Sequence, residues 1–522
     1  MSVGHGNDRV IGALPLEDTM TRLVVVSNRV PLPSAGQRAG GLAVALDGLM
    51  EKRGGLWFGW SGRIAPGPTA ALAQAETEGG VDYATIDLTQ EEHDRYYNNF
   101  SNGVLWPLLH TMPELMRYDR RDARVYREVN TRLASSLQPL LRPDDLIWIH
   151  DYHLMPLAAC LRARGVKNPI GFFLHIPFAA PDVLHAAPEV AALVTDLLAA
   201  DLLGFQTDND LANFAAAAQQ LAGAVRLAGN VLTVGGRRVK LGVFPVEIEA
   251  LAFARMAVRM SISPLGEKLR RSLDGQRLIL GIDRLDPTKG LPQRLAGFRL
   301  LLERYPEWTG KTTLLQIAAE SRKDVESYRS LRAVLDAQAG SLNADLGAPD
   351  WQPLRMVSRA TDRNAIAGYM RLARVGLVTP LRDGMNLVAK EYVAAQDPDD
   401  PGVLVLSRFA GAARQLHEAI LVNPHDPDAL CDGLDQALRM PLAERKSRWQ
   451  ALWAEIADRS PTVWGRSFVA ALMRTTLAAV KPRRVSAFTS PEQGVSAVMP
   501  APPRVSILPG EAESPFDPRR LN

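Results

Sequence analysis

Short runs of consecutive aliphatic residues recur along this chain, separated by longer stretches in which apolar positions return every three or four residues. The first run is Leu23-Val-Val-Val-Ser27. Its apolar residues are continuous rather than alternating, which predicts a strand buried on both faces. Leu146-Ile-Trp-Ile149, Ile170-Gly-Phe-Phe-Leu174, Leu202-Leu-Gly-Phe205 and Val243 to Val246 read the same way. A second series starts at Leu278-Ile-Leu-Gly-Ile282 and continues with Thr313 to Ile317, Leu354 to Val357, Val375 to Val378 and Val403-Leu-Val-Leu406. Buried strands alternating with helical patterns indicate an α/β protein with parallel sheets.

The two series divide near residues 250 to 275 and predict two Rossmann-like domains, at 21–255 and 256–460. Pro461 to Val480 reads as a terminal helix with Phe468, Leu472 and Leu477 on one face, packing back on the N-terminal domain. Residues 1–20 and the proline-rich stretch 481–522 lack apolar periodicity and are expected to be disordered extensions.

Bulk properties remove several function classes. Of the 522 residues, 47% are hydrophobic and 22% charged, yet the formal net charge is only +3. That balance gives no field for nucleic acid or an anionic membrane. The apolar region Ala186 to Phe205 is interrupted by Glu189, Asp196 and Asp201, so it is no membrane span. Cys160 and Cys431 stand far apart in no metal-type spacing, as reduced thiols do. A cytoplasmic protein acting on small molecules is expected, without a cofactor and as a homo-oligomer.

Ligands of open α/β sheets sit at the carboxyl ends of strands. After the first strand come Arg29 and the pair Gly40-Gly41, which reads either as a tight turn or as a backbone approach to phosphate. His150-Asp151-Tyr152-His153 follows another strand. Its His-x-x-His spacing lacks a third metal ligand, and Asp151 suits either a sugar hydroxyl or a helix cap. His175 ends the next strand, as a core histidine or a ligand. In the second half, Arg284 and Lys289 flank a strand end just before a helix, an arrangement suited to a diphosphate. The stretch Arg382-Asp383-Gly384-Met385-Asn386 repeats that geometry. Leu387 and Val388 begin the following helix, and Glu391 lies where a carboxylate can bind a ribose diol. No Walker A sequence, nucleophilic triad or GxGxxG is present.

An ordered set of longer motifs spans residues 23 to 475: VVVSNR, GGLWFGWSG, YYNNFSNGVLWP, WIHDYHLMPLA, GFFLHIPF, LGFQTDND, RLDPTKGLPQRL, SRKDV and TPLRDGMNLVAKEYVAAQD. With these the chain resembles the trehalose-6-phosphate synthases, retaining glucosyltransferases of the GT-B type, and in extent their synthase domain alone; the resemblance implies that the two Rossmann-like domains face a cleft. The resemblance implies transfer of glucose from a nucleotide-diphosphate glucose, UDP-glucose first, to glucose 6-phosphate without a metal. It implies Arg284, Lys289 and Gly41 at the diphosphate, and Glu391 at the ribose. Asp383, His175 and the amides of Gly384, Met385, Asn386, Leu387 and Val388 would meet the transferred glucose and phosphate. Arg284, Lys289, Asp383 and His175 would be the catalytic group. Arg29 and Arg322 would clamp the acceptor phosphate, with Tyr97, Trp106, Asp151 and Trp60 shaping that site.

Two departures from the family pattern stand out. Glu247 replaces a glycine near the interdomain crossing; it is expected to adopt an ordinary conformation, so that Glu247→Gly changes activity little. Ala360-Thr361 replaces an aromatic before Asp362-Arg363, which leaves the nucleobase open. The alternative readings are another phosphorylated acceptor, such as glycerol 3-phosphate, and a non-catalytic subunit that senses sugar phosphate.

Overall fold

The aliphatic runs become central strands of two sheets in the computed structural model, which describes residues 21–35, 41–67, 74–322 and 325–480. The expected extensions 1–20 and 481–522 lie outside the described residues, as does Gly40. The first sheet contains β1 (Leu23–Arg29), β2 (Gly55–Ala65), β3 (Gln74–Glu78), β4 (Val81–Thr89) and β5 (Leu146–His150). It continues with β6 (Ile170–Phe173), β7 (Leu202–Phe205), β8 (Val225–Leu227), β9 (Val231–Val234) and β10 (Arg237–Val243). Their order is β3-β4-β2-β1-β5-β6-β7-β10-β9-β8. Pairing is parallel from β4 to β10 and antiparallel only at the two edges.

The second sheet is built from β11 (Arg277–Arg284), β12 (Thr312–Ala319), β13 (Leu354–Val357), β14 (Val375–Val378), β15 (Val403–Ser407) and β16 (Ile420–Val422). All its pairs are parallel, in the order β13-β12-β11-β14-β15-β16. Strand order therefore reverses between β11 and β14 here, and between β1 and β5 in the first sheet. Open sheets bind ligands at such reversals, because the connections leave a crevice there. Arg29 and Asp151 flank the first reversal; Arg284 and Asp383 flank the second.

The structure differs from two expectations and adds two elements that the sequence pattern did not suggest. The predicted strand Val243 to Val246 ends at Val243, since Pro245 has no N–H to continue the ladder. The glycine-rich run Gly55–Ala65 hid a long strand, because its glycines break the aliphatic pattern. Gly59 serves a purpose in it: a Cβ there would lie 2.0 Å from the Ser27 carbonyl oxygen. Residues His93–Leu105 form a π-helix, a conformation that periodicity at 3.6 cannot reveal. The change of core also comes earlier than 255/256. Val246 packs with the first sheet, whereas Ile248, Ala250, Phe253 and Ala257 pack with the second.

The terminal helix Pro461–Val480 places Trp464, Phe468 and Leu472 on the first sheet. Phe468 stacks on Trp148 at 4.5 Å between centroids and fills the space above Gly171 and Gly204. None of the helices among the described residues is long and apolar enough to cross a membrane.

Glu247 lies in the first crossing between the sheets and has an ordinary φ. Its side chain, however, has a structural role that the backbone does not show. Lys390 is fully buried, and its ammonium donates to Val246 O at 2.8 Å and to Glu247 Oε2 at 2.6 Å. Gln415 donates to Glu247 Oε1 at 3.0 Å, and Arg459 of the second crossing lies 3.6 Å from it. Burial pulls the Lys390 pKa down to about 8 despite Glu247. Removing the carboxylate would leave that ammonium buried and unpaired. We predict that Glu247→Gly lowers the unfolding free energy by about 3–5 kcal/mol, and that adding Lys390→Met restores much of it. Urea denaturation of both variants checks this; a loss under about 1 kcal/mol for the single variant would contradict it.

Candidate active site

The second sheet supplies a cation held by a carboxylate. After β11, Asp286 caps a short turn by accepting from Thr288 N at 3.0 Å and its hydroxyl at 2.8 Å. Gly290 then takes φ 65°, where a Cβ would lie 2.5 Å from Thr379 O, and the chain enters the helix Leu291–Arg304. This turn aims Lys289 at the loop after β14, where its Nζ lies 2.5 Å from Asp383 Oδ2. Asn386 also donates to that oxygen, at 3.0 Å. Burial alone would raise the Asp383 pKa; Lys289 brings it below the ordinary value. Arg284 is exposed at the end of its strand.

Helix Leu387–Ala395 starts at the same loop. Asn386, at φ 78°, caps it by accepting from Ala389 N at 3.2 Å. The amides of Leu387 and Val388 therefore form the positive end of a helix dipole beside Lys289. Met385 is buried beneath. Gly384 admits the other domain: a Cβ there would lie 2.2 Å from the carbonyl oxygen of His175. Glu391 accepts from Arg363 at 2.7 Å, and burial raises its pKa.

Arg322 crosses to the first sheet. It donates to Tyr152 Oη at 3.0 Å and Tyr328 Oη at 2.5 Å, and its guanidinium sits 4.1 Å from the Trp106 ring centroid. Arg284 lies 5.6 Å from the same ring. The Trp106 indole donates to Asp286 Oδ1 at 3.3 Å, and Tyr328 donates to Oδ2 at 2.9 Å. Burial would raise the Asp286 pKa, but Arg322, Arg284 and Lys289 together hold it well below the usual range. Two sheets are thus joined through one indole and one carboxylate.

On the first sheet, Trp60 packs on Tyr97 at 5.7 Å, and Tyr97 stacks on His153 at 5.7 Å and 13°. Asp151 holds φ 76° and accepts from the His175 amide at 3.2 Å; burial raises its pKa to about 6. His175 Nε2 lies 3.0 Å from His150 Nδ1, and burial lowers the His175 pKa to about 3. His150 and His153 turn to different partners, and no cluster of three metal-type side chains occurs among the described residues.

Arg29 does not join Arg322 through any contact among the described residues. It is exposed and lies over the backbone of Gly62, where a Cβ would be 2.7 Å from its Nε. Gly41 begins the helix Gly41–Arg53. Tyr152, Asp286, Tyr328 and Arg363 also belong to this network, although none is a site candidate in the sequence. Asp286 and Tyr152 stand inside quoted motifs beside residues that were chosen; Tyr328 carries no local signal at all.

Residues 21–474 match the model of glycosyltransferase family 20. The trehalose-6-phosphate synthase of Sinorhizobium fredii is 47% identical over 457 residues, which are 86% of this chain and 98% of that one. A crystal structure of an α,α-trehalose-phosphate synthase (UDP-forming) from Burkholderia vietnamiensis superposes with a TM-score of 0.86 at 45% identity, covering 89% of this chain and 99% of the other. One from Burkholderia xenovorans in complex with glucose-6-phosphate gives 0.83 at 43% identity, covering 87% and 100%. With this extent of similarity, and with two Rossmann-like domains facing a cleft, the chain belongs to glycosyltransferase family 20.

Proposed function

We propose that this protein is a trehalose-6-phosphate synthase, transferring glucose with retention from UDP-glucose to glucose 6-phosphate to give α,α-trehalose 6-phosphate and UDP. The observation that carries this reading is the juxtaposition of two unlike sites at the two strand reversals. The Lys289–Asp383 pair and a helix N-terminus stand on one side. A guanidinium on an indole, Arg322 over Trp106, stands on the other.

In the proposed reaction the diphosphate lies on Lys289, Arg284 and the first amides of helix Leu387–Ala395. These fixed charges stabilise the negative charge that grows on the leaving oxygen. Asp383 and His175 meet the glucose, and Glu391 meets the ribose once Arg363 yields one of its contacts. The acceptor hydroxyl attacks on the face that the diphosphate leaves, and the departing phosphate takes its proton. Arg29 and Arg322 bind the acceptor phosphate, while Tyr97, Trp60, Trp106 and Asp151 shape the pocket around the acceptor sugar. These fixed cations supply charge that a metal could otherwise provide, so activity is expected to persist in EDTA.

A cytoplasmic location suits the free thiols Cys160 and Cys431. A homo-oligomer suits the stripe of Leu251, Val258, Ile262 and Leu265, of which Ile262 is 68% exposed. Light scattering that returns a monomer mass would remove the oligomer from the proposal.

Incubating the purified protein with UDP-glucose and glucose 6-phosphate, and reading the product by NMR, tests the function. Two α-anomeric signals are expected; a β signal or no product would refute it. Lys289→Ala should lower kcat by about 10²–10³-fold, as loss of one preorganised charge does. Near-normal turnover in stopped assays would remove Lys289 from the mechanism. Arg322→Ala should raise the KM for glucose 6-phosphate at least about 30-fold, in line with loss of a charged hydrogen bond of about 2–3 kcal/mol, while the Kd for UDP by calorimetry changes little. Equal losses for both ligands would instead mean that Arg322 supports the fold.

A further inference from the structure

Two histidines end neighbouring strands of the first sheet, and they are environmentally unlike. His150 closes β5 and is fully buried, with Trp148 at 4.5 Å, Trp464 at 6.3 Å and Phe173 at 6.4 Å between ring centroids. Its Nδ1 lies 3.0 Å from Nε2 of His175, and its own Nε2 has no partner. His175 follows β6 by two residues and is half-buried. None of the described residues bonds its Nδ1.

At 3.0 Å, one proton must lie between the two facing nitrogens, since two lone pairs would repel. If His175 supplied it, neutral His150 would carry its proton on Nε2, an N–H buried among rings with no acceptor. If His150 supplies it, only a ring lone pair is left unpaired in that pocket. Buried N–H groups without partners are the rarer of the two defects. His150 Nδ1–H therefore donates, His175 Nε2 accepts, and the one proton of neutral His175 sits on Nδ1. Burial keeps both rings neutral: it lowers the His150 pKa well below the ordinary value and that of His175 to about 3. The arrangement then holds unchanged across the neutral range.

We propose that His150 is a positioning residue for glucosyl transfer: one hydrogen bond from its buried ring fixes the tautomer and plane of His175, which then offers Nδ1–H to a sugar oxygen. This rests on the transfer reading above. The His175 backbone is pinned as well, because its carbonyl oxygen packs against Gly384 and its amide donates to Asp151. Ring and backbone are thus held by different neighbours, and only His150 decides which nitrogen carries the proton. An imidazole without such a partner samples both tautomers, and the Nε2–H form cannot donate from Nδ1.

The test uses the full-length chain, labelled with ¹⁵N, and long-range ¹H–¹⁵N spectra at neutral pH, with His175 assigned by its loss in His175→Asn. The ligand-free protein should show His175 protonated on Nδ1. His150→Phe keeps a ring but removes the donor; His150→Asn retains an N–H close to the position of Nδ1. His150→Phe should lower kcat by about 10–100-fold, the usual effect of freeing a group that orients a ligand-binding residue. KM for both substrates should stay within about threefold, and His175 should shift toward the Nε2–H form. His150→Asn should keep the Nδ1–H form and most of kcat. A proton on Nε2 of His175 in the unaltered protein would overturn the proposal, whether or not His150→Phe folds. So would unchanged kcat in His150→Phe. Product-free incubation of the unaltered protein, with the Nδ1–H tautomer present, would overturn the reaction and with it the role of His150, leaving the tautomer assigned.

Discussion

The cleft depends on a single buried carboxylate. Asp286 receives hydrogen bonds from Thr288 in its own turn, from Trp106 of the first sheet and from Tyr328, and it lies 3.6 Å from Arg322. A buried carboxylate persists as an anion only when such partners satisfy it, and here satisfying it draws the two sheets together. Trp106 is fixed at its N–H by Asp286 and covered by Arg322 on its ring. Arg322 is then free to donate to Tyr152, so that a guanidinium from the second sheet stands among the aromatic residues of the first.

Backbone strain marks the same places. Three of the six described non-glycine residues with positive φ are Asp151, Arg322 and Asn386, all candidate ligand residues. Each such conformation costs roughly 1–3 kcal/mol and survives only where neighbours over-determine it. Asp151 is held by the amide of His175, Arg322 by two tyrosine hydroxyls, and Asn386 by its cap on Ala389 and its bond to Asp383. The networks that position these side chains are the ones that stabilise their backbones.

Much of this was legible in the chain itself. Continuous aliphatic runs identified most strands of the parallel cores, because burial on both faces leaves no polar alternation to read. Arg284, Lys289 and Asp383 were recognisable as strand-end charges beside glycines, and the structure brings Lys289 and Asp383 into contact. What was not legible depends on distant neighbours. Tyr328 sits in an ordinary helical pattern, and its site position arises only when that helix packs against the Pro287–Lys289 turn and brings the hydroxyl to Asp286. The strand Gly55–Ala65 was masked by glycines required for close backbone packing. His150 was read only within a His-x-x-His spacing that lacks a third metal ligand, yet its ring faces His175. Glu247 shows the same limit from another side: its backbone was foreseeable, its buried partner Lys390 was not.

The cation–π contact of Arg322 on Trp106 spans the two domains, and in the proposed reaction it holds the acceptor-binding side chains in place. A double-mutant cycle of Trp106→Ala and Arg322→Ala, read as the affinity for glucose 6-phosphate by calorimetry in the presence of UDP, tests it most directly. A favourable coupling of about 1–2 kcal/mol is expected, as for a desolvated cation on an indole. Strictly additive losses would contradict it, because each side chain would then bind the acceptor without the other.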